Sequence, residues 1–369
     1  MHVRIHDDFV AMVRQNKLVP GGRLPTVRQV AKQYGVAVGT AALAFEALQS
    51  EGIIASRSRR GSFVAPTTQH VVATELILCI HPAFLHRTKA TWRHFERLRG
   101  IMVAAQQRNA HLFPITDAGE FELYQHPGTR QGVILFDQNY EADGFAGVAR
   151  YAVEHNMPIC IVTGQGTTLP LVKDNRDAGF EQAVTHLLAL GHRNVAFLNG
   201  PSGDGATATT PNVFGRIRQG YLRGLKRAGV PLDPQLYVEA GPPEFQGRAP
   251  TLEAMERLLS VDPRPTAILC NNDARALLVL DILKAHGIRV PEDISVVGCD
   301  DTPECVKSTP KLTSIATQLS GQGEEAVHYV VNRLLGQNAP APSVTPQLVI
   351  RGSSGVPKLQ VLSEGRALS

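Results

Sequence analysis

From residue 71 onward the chain alternates short apolar runs with stretches of helical period, and this alternation narrows the fold more than any other feature. The apolar runs are Leu76–Ile80, Val133–Phe136, Ile159–Val162, Val195–Leu198, Ala267–Cys270 and Ser295–Val297. Helical stretches lie between them at about 91–108, 144–155, 177–190, 213–228, 251–260 and 274–286. Strand and helix in alternation over so long a span predict an α/β architecture with parallel sheets. Such sheets place ligands at the carboxyl ends of their strands, so the residues following each apolar run are the first candidates for a site. No internal repeat of 20–50 residues is evident. The tail after Gly355 carries little pattern and reads as a disordered end.

The first 66 residues follow a different grammar. Ile5, Phe9, Met12 and Val13 share one face of a helix over residues 2–15, and Pro20-Gly21-Gly22 breaks the chain after it. Thr26-x-x-Gln29 matches a capping box, which opens a short helix with Val27, Val30, Ala31 and Tyr34 inward and Gly35 at its end. A further helix runs from about Val38 to Ser50, with Leu43, Ala44, Ala47 and Leu48 as its apolar residues and Gly52 as its stop. Ile53-Ile54 and Phe63-Val64 then flank a polar turn, Ser56 to Gly61, in the pattern of a hairpin. Pro66-Thr67-Thr68-Gln69 reads as a linker.

Charge follows the same division. Residues 1–66 hold nine Lys/Arg against four Asp/Glu, a net +5, which leaves −1 of the chain's +4 for the remainder. A small basic unit on a neutral body points to a polyanion partner for that unit, although charge alone leaves a merely solvated surface open. The length of 369 residues suggests two or three folding units. No apolar run is long enough to span a bilayer, and the start, with Asp7 and Asp8, has no signal core, so a cytoplasmic location without membrane partners is expected. Cys79, Cys160, Cys270, Cys299 and Cys305 are odd in number and form no C-x-x-C, which reads as reduced and mostly buried thiols. Histidine spacing fits no metal motif and no nucleotide-phosphate loop is present, so neither a metal nor a cofactor is expected. No nucleophile–base–acid constellation suggests an enzyme.

The run Gly22 to Ala31, then Tyr34-Gly35-Val36, Gly39-Thr40, Leu48 to Ile54 and Arg60 to Val64, resembles the winged helix-turn-helix domain of the GntR family in order and spacing. The resemblance implies a DNA-binding unit. Arg23 lies in the matched run, Arg28 falls at a DNA-contacting position, and Thr26 with the N–H groups after it suits a phosphate. Val38, Gly39 and Thr40 open the recognition helix. Arg57, Arg59, Arg60, Gly61 and Ser62 form the wing, a backbone or minor-groove probe, for which a solvated turn is the plainer alternative. The chain departs from the family where a polar cap and arginines usually open the recognition helix: here stand Ala37, Val38 and Ala42. Fewer direct base contacts are therefore expected, with Arg28 and the wing carrying more of the binding.

A second resemblance covers residues 72–354. Asp174-Asn175 with Gly179, His186 to Phe197, Asn272-Asp273, Val290 to Asp301, Pro310 to Ile315 and Arg351 to Ser354 are similar to the LacI/GalR repressors. It implies a two-lobed periplasmic-binding-protein-like domain with crossings near 170, 316 and 341. The division expected is 1–66 for the DNA-binding domain, 67–71 for a linker, 72–355 for the effector domain and 356–369 for the tail. Within the effector domain, lobe 1 takes about 72–169 and 317–340, and lobe 2 about 170–316 and 341–355. Asp300, Asn272 and Asp273 follow strands at positions that grip ligand hydroxyls, Asp273 alternatively capping the next helix. Arg216 and Arg218 flank Ile217, where the family places a ligand-gripping arginine, and a helix-surface role is the alternative. Trp92 either walls the ligand or fills a lobe core. Thr163-Gly164-Gln165 replaces a carboxylate that many relatives carry, and Gly200 to Gly205 reads as an ordinary connection rather than a phosphate loop. The expected whole is a repressor homodimer on double-stranded operator DNA, switched by a sugar or sugar derivative. A regulator with an empty, degenerate sensor, a sugar-binding protein and an enzyme are the alternatives.

Overall fold

The computed structural model describes residues 2–14, 17–19, 21–50, 53–57, 61–65, 74–80, 92–126, 129–136, 144–164, 167–200, 213–241 and 248–358. The N-terminal unit contains α1 (His2–Arg14), α2 (Val27–Tyr34), α3 (Val38–Ser50), β1 (Ile54–Arg57) and β2 (Gly61–Val64). Its core gathers Ile5, Phe9, Val13, Val30, Ala44, Leu48, Ile54 and Val64, with Phe9 edge-on to Phe45 at 5.6 Å. The capping box is formed: the Thr26 hydroxyl accepts from Gln29 N–H at 3.3 Å, and Gln29 Oε1 accepts from Thr26 N–H at 2.8 Å. Gly35, at φ +66°, ends α2 in the left-handed conformation, where a side chain would be strained. β1 and β2 pair as an antiparallel hairpin. The segment before α2 joins it through Leu24 N–H to Ser62 O (2.9 Å) and Val64 N–H to Gly22 O (2.8 Å). Leu43, read from its period as one of the apolar residues of α3, stands 53% exposed.

The larger part builds two sheets. The first is four-stranded and all parallel, in the order β4 (Ala110–Ile115), β3 (Thr74–Cys79), β5 (Arg130–Leu135), β6 (Ile159–Ile161), and is accompanied by α4 (Trp92–Gln107) and α5 (Ala146–Glu154). Successive side chains of β3 go to opposite faces. Leu76 and Leu78 pack with Ile101 and Val330, Ile77 and Cys79 with Phe121 and Phe145. Both faces are covered, which is why the stretch from Leu76 to Ile80 reads as an unbroken apolar run.

The second sheet is six-stranded, in the order β12 (Gln347–Val349), β11 (Thr313–Ala316), β10 (Ser295–Cys299), β9 (Ala267–Cys270), β7 (Val195–Asn199), β8 (Tyr237–Glu239), with only β12 antiparallel to its neighbour. It is flanked by α6 (Arg176–Ala189), α7 (Val213–Arg227), α8 (Arg248–Leu259) and α9 (Asp273–Ala285). A last helix, α10 (Leu319–Leu334), leaves β11 and packs on the first sheet. This helix and four strands lay outside the apolar pattern, the strands each for a physical reason. β4 is a partly exposed edge strand, and β8 and β12 are three-residue edges. β11 buries Thr313 and Ser314, whose hydroxyls are satisfied by Arg351 O (3.2 Å) and Asp273 Oδ1 (2.6 Å).

The chain passes between the sheets three times. Residues 171–175 run from β6 to α6, 317–318 from β11 to α10, and 342–346 from α10 to β12, the first and last joined by a bridge between Lys173 and Ser343. Each lobe also clamps a pair of helices at glycine. A Cβ on Gly323 of α10 would lie 2.2 Å from Arg97 O of α4, and one on Gly220 of α7 would lie 2.0 Å from Asp177 O of α6. Because backbone stands at each contact, no side chain can move aside. Gly323→Val is expected to destabilise lobe 1 by roughly 2–3 kcal/mol, seen as a lower urea midpoint at an unchanged m-value. An unaltered midpoint would mean that the helices do not pack this closely.

All five cysteines are free and buried. Burial pushes the Cys160 and Cys270 thiols up to about 12, which removes the reactive thiolate.

Candidate functional site

A cleft of about 560 Å³ opens between the two lobes, at the carboxyl ends of β6, β9 and β10. From lobe 1, the first turns of α4 bring Trp92, Arg93 and Arg97 to it. From lobe 2 come Phe214 and Arg216 of α7, with Asn271 and Asn272 after β9 and Asp300 after β10. Asp174 and Arg176, at the first crossing, form its floor between them.

Asp300 is held by its backbone. Its φ of +115°, followed by +57° at Asp301, is a conformation that side-chain-bearing residues rarely adopt and that costs roughly 1–3 kcal/mol each. Asp300 N–H donates to Ile315 O at 2.8 Å, so pairing with β11 sustains the turn. The buried carboxylate crosses the cleft to Arg93, Nη1 to Oδ2 at 2.9 Å, while Oδ1 has no partner among the described residues. Asn272 caps α9 by accepting from Arg275 N–H at 2.8 Å. Behind it Arg275 ties three strand ends together, donating to Asn199 O (2.7 Å), Ala240 O (2.9 Å) and Asn271 Oδ1 (2.9 Å).

Electrostatically the cleft is arginine-rich. Among the described lining residues, Arg93, Arg97, Arg176 and Arg216 face two carboxylates, Asp174 and Asp300. Asp174 accepts from Arg216 Nη1 at 3.1 Å and lies 3.5 Å from Arg176 Nε. Burial raises its pKa, but Arg176 and Arg216 outweigh burial and hold it below the ordinary carboxylate value. Burial, then Arg93 and Arg176, push the Arg97 guanidinium down to about 9, so it stays charged near neutrality; its Nε donates to Gln322 Oε1 at 2.7 Å.

The structure brings together four of the six residues assigned to the effector, Trp92, Arg216, Asn272 and Asp300, and leaves two outside. Arg218 lies over the Tyr237 ring, 5.0 Å from its centroid. Two residues along a helix are turned about 200° from each other, so Arg216 and Arg218 cannot both face the cleft. Asp273 is fully buried, accepting from Ser314 Oγ at 2.6 Å and Thr302 N–H at 2.7 Å, and serves to bind α9 to the ends of β10 and β11. Arg93, Arg97 and Arg176 were missed by sequence reasoning. Charged residues in a helix usually mark its wet face, and only the packing of α10 against α4 turns this face inward.

In the N-terminal unit Arg23, Thr26 and Arg28 are exposed, and the Arg23 guanidinium reaches the hairpin, 3.5 Å from where a Cβ on Gly61 would stand. Val38 is 50% exposed, Gly39 is open and Thr40 is half-buried, so the start of α3 presents apolar surface and no charge. Gly61, at φ +95°, is exposed, and half-buried Ser62 has its Oγ 3.2 Å from Ser56 Oγ. Arg59, Arg60 and the Arg57 side chain lie outside the described residues.

Comparison with known proteins matches two segments of the chain. Residues 2–64 match the model of bacterial regulatory proteins of the gntR family, and residues 184–354 match that of the periplasmic binding protein-like domain. The chain thus carries a GntR-type helix-turn-helix domain ahead of a periplasmic-binding-protein-like domain. It is similar to the HTH-type transcriptional repressor CytR of Escherichia coli (strain K12), 32% identical over 54% of this chain and 57% of that one. It is also similar to the ribose operon repressor of the same strain, 34% identical over 50% of this chain and 53% of that one. The matched span is thus little more than half the length of these repressors. A LacI-family regulatory protein from Chloroflexus aggregans shares the fold, with a TM-score of 0.61 at 21% identity over 76% of this chain and 98% of that one. No helix among the described residues is long and apolar enough to cross a membrane.

Proposed function

We propose that this chain is a cytoplasmic transcriptional repressor whose affinity for operator DNA is switched by a small molecule, a sugar or sugar derivative, bound between the lobes. Residues 1–66 act as the DNA-binding domain, 67–71 as linker and 72–355 as the sensor, with no catalytic step. The observation that carries this reading is a cleft lined from both lobes, in a body threaded by three crossings, on the same chain as an exposed basic winged helix. A ligand touching both lobes favours one lobe arrangement over another, and only such differential affinity can move an equilibrium. The similar proteins are repressors, one of them of a ribose operon, which supports the sugar class.

The working unit is a homodimer. Phe95 (59% exposed) and Met102 (63% exposed) stand seven residues apart, on one outward face of α4, and a second copy of the chain would cover them. Sedimentation of the wild type is expected to give the mass of two chains, and that of Phe95→Asp/Met102→Asp the mass of one.

The direct test is anisotropy titration of the full chain with duplex from its own promoter against random duplex, with and without a metabolite library. Promoter binding is expected to be at least about 10³-fold tighter than random binding, and at least one metabolite should shift it tenfold or more. Equal affinity for both duplexes under every condition would overturn the proposal.

A further inference from the structure

We infer that the ligand of this cleft is an anion: a hydroxylated small molecule carrying a carboxylate or phosphate group, rather than a neutral sugar. The inference deepens the sensor reading above and rests on it for the ligand's regulatory meaning.

Charge balance is the first ground. Among the described lining residues, four guanidinium groups meet two carboxylates, an excess of two positive charges in a partly enclosed site. Arginine stays protonated at physiological pH, so the excess cannot be relieved by losing protons. Like charges drawn out of water are costly unless a counter-charge joins them. The two carboxylates are already engaged, Asp300 by Arg93 and Asp174 by Arg216 and Arg176.

Unused hydrogen-bonding groups are the second ground. Arg176 is only 6% exposed, yet its Nε, though ion-paired at 3.5 Å with Asp174 Oδ2, makes no hydrogen bond to any described residue, and neither does the buried Nε of Arg216. Both flank Asp174, so two unmade N–H donations lie in one corner of the cleft. Planar guanidinium groups in that state suit the oxygens of a carboxylate or phosphate, which accept from several N–H groups at once. Asp300 Oδ1 is the reverse case, a buried acceptor left open on the lobe 2 side. It asks for a donor, which a hydroxyl supplies. Trp92, Phe214 and Ile217 give the apolar wall against which a sugar ring lies. One molecule bearing an oxyanion and hydroxyl groups satisfies all three conditions, whereas a neutral sugar leaves the cationic excess in place.

The test uses the full chain, with calorimetry and thermal shift at constant ionic strength. The probes are glucose, glucuronate, glucose 6-phosphate, ribose, ribose 5-phosphate and inorganic phosphate. Anionic members are expected to raise the melting temperature and to bind at least 30-fold tighter (~30-fold, one or two charge-assisted contacts) than the neutral sugar of the same frame. The better of glucuronate and the phosphate esters identifies the anionic group. Arg176→Gln should abolish the preference for anions while leaving weak neutral-sugar binding. Should that variant fold poorly, the half-exposed Arg216→Gln should weaken anion binding about tenfold on the same grounds. Lys284→Ala, which removes an exposed cation at the far end of α9 from the cleft, should keep the full anion response. The inference falls if no anionic probe shifts the wild type, if neutral sugars bind as tightly as anions, or if the Arg176 and Arg216 variants respond as the wild type does. If anions bind but operator affinity does not change, the regulatory reading fails and this one stands. If a neutral sugar alone releases the operator, the outcome is the opposite.

Discussion

Arg23→Ala/Arg28→Ala is expected to weaken binding to operator and to random duplex alike, by about 10–100-fold at 0.1 M salt, and to make the slope of log K against log salt shallower by about two. The expectation comes from what α3 lacks. Its exposed start offers Val38, Gly39 and half-buried Thr40, with Leu43 one turn on, and no cation among them. Such a helix can meet thymine methyl groups but makes no bidentate contact to guanine. Attraction to phosphate then falls to groups outside the helix, and Arg23 and Arg28 are exposed on the segment leading into it. Arg23 also stands against Gly61, which couples this segment to the hairpin. Salt titrations of both duplexes separate the possible results. A uniform loss marks phosphate contacts, and a loss confined to the operator marks base reading. No loss at all would take the DNA-binding face elsewhere on the domain.

Arg275→Ala is expected to cost lobe 2 at least about 3 kcal/mol, among the largest effects of any single change in this chain. Arg275 is 1% exposed and spans the ends of three neighbouring strands, β7, β8 and β9, through Asn199 O, Ala240 O and Asn271 Oδ1. Truncation leaves those acceptors buried and bare and opens a cavity beneath the cleft. Arg275→Met refills much of the space without the donors and should recover only part of the loss. Urea unfolding followed by probes in each lobe is the measurement, because a chain of several units need not unfold in one step. The effect should extend to the ligand, since Asn271 lines the cleft and loses the group that holds its amide. A variant as stable as the wild type would show that solvent or a rearranged side chain satisfies those carbonyls.

Much of the fold was legible because it rests on short-range rules. Central strands covered on both faces carry runs of apolar residues, and β3, β5, β7, β9 and β10 stood out for that reason. The capping box at Thr26 and the left-handed Gly35 are local geometry, written in four or five consecutive residues. The edge strands β4, β8 and β12 escaped notice because they are partly exposed or only three residues long, whereas the fully buried edge strand β6 was legible, and β11 escaped because its buried hydroxyls look polar until their partners are known. In the cleft, Asp300 and Asn272 were legible as residues that follow strands, and Trp92 and Arg216 through the family pattern. Asp273 and Arg218 were placed there by the same reasoning and belong to the packing around it.

Sequence alone was sufficient for the central strands, the helix caps, the α/β class and the basic N-terminal unit, since periodicity, caps and charge density act over a few residues at a time, while the division into two lobes followed from the family resemblance. The charge of the cleft required the fold. Arg93 and Arg97 come from one lobe, Arg216 from the other and Arg176 from the end of the first crossing, so arginines up to 123 positions apart share one cleft only once the crossings have joined the two lobes. Whether a guanidinium lies in water or in that space depends on what covers it, and long-range packing alone decides that.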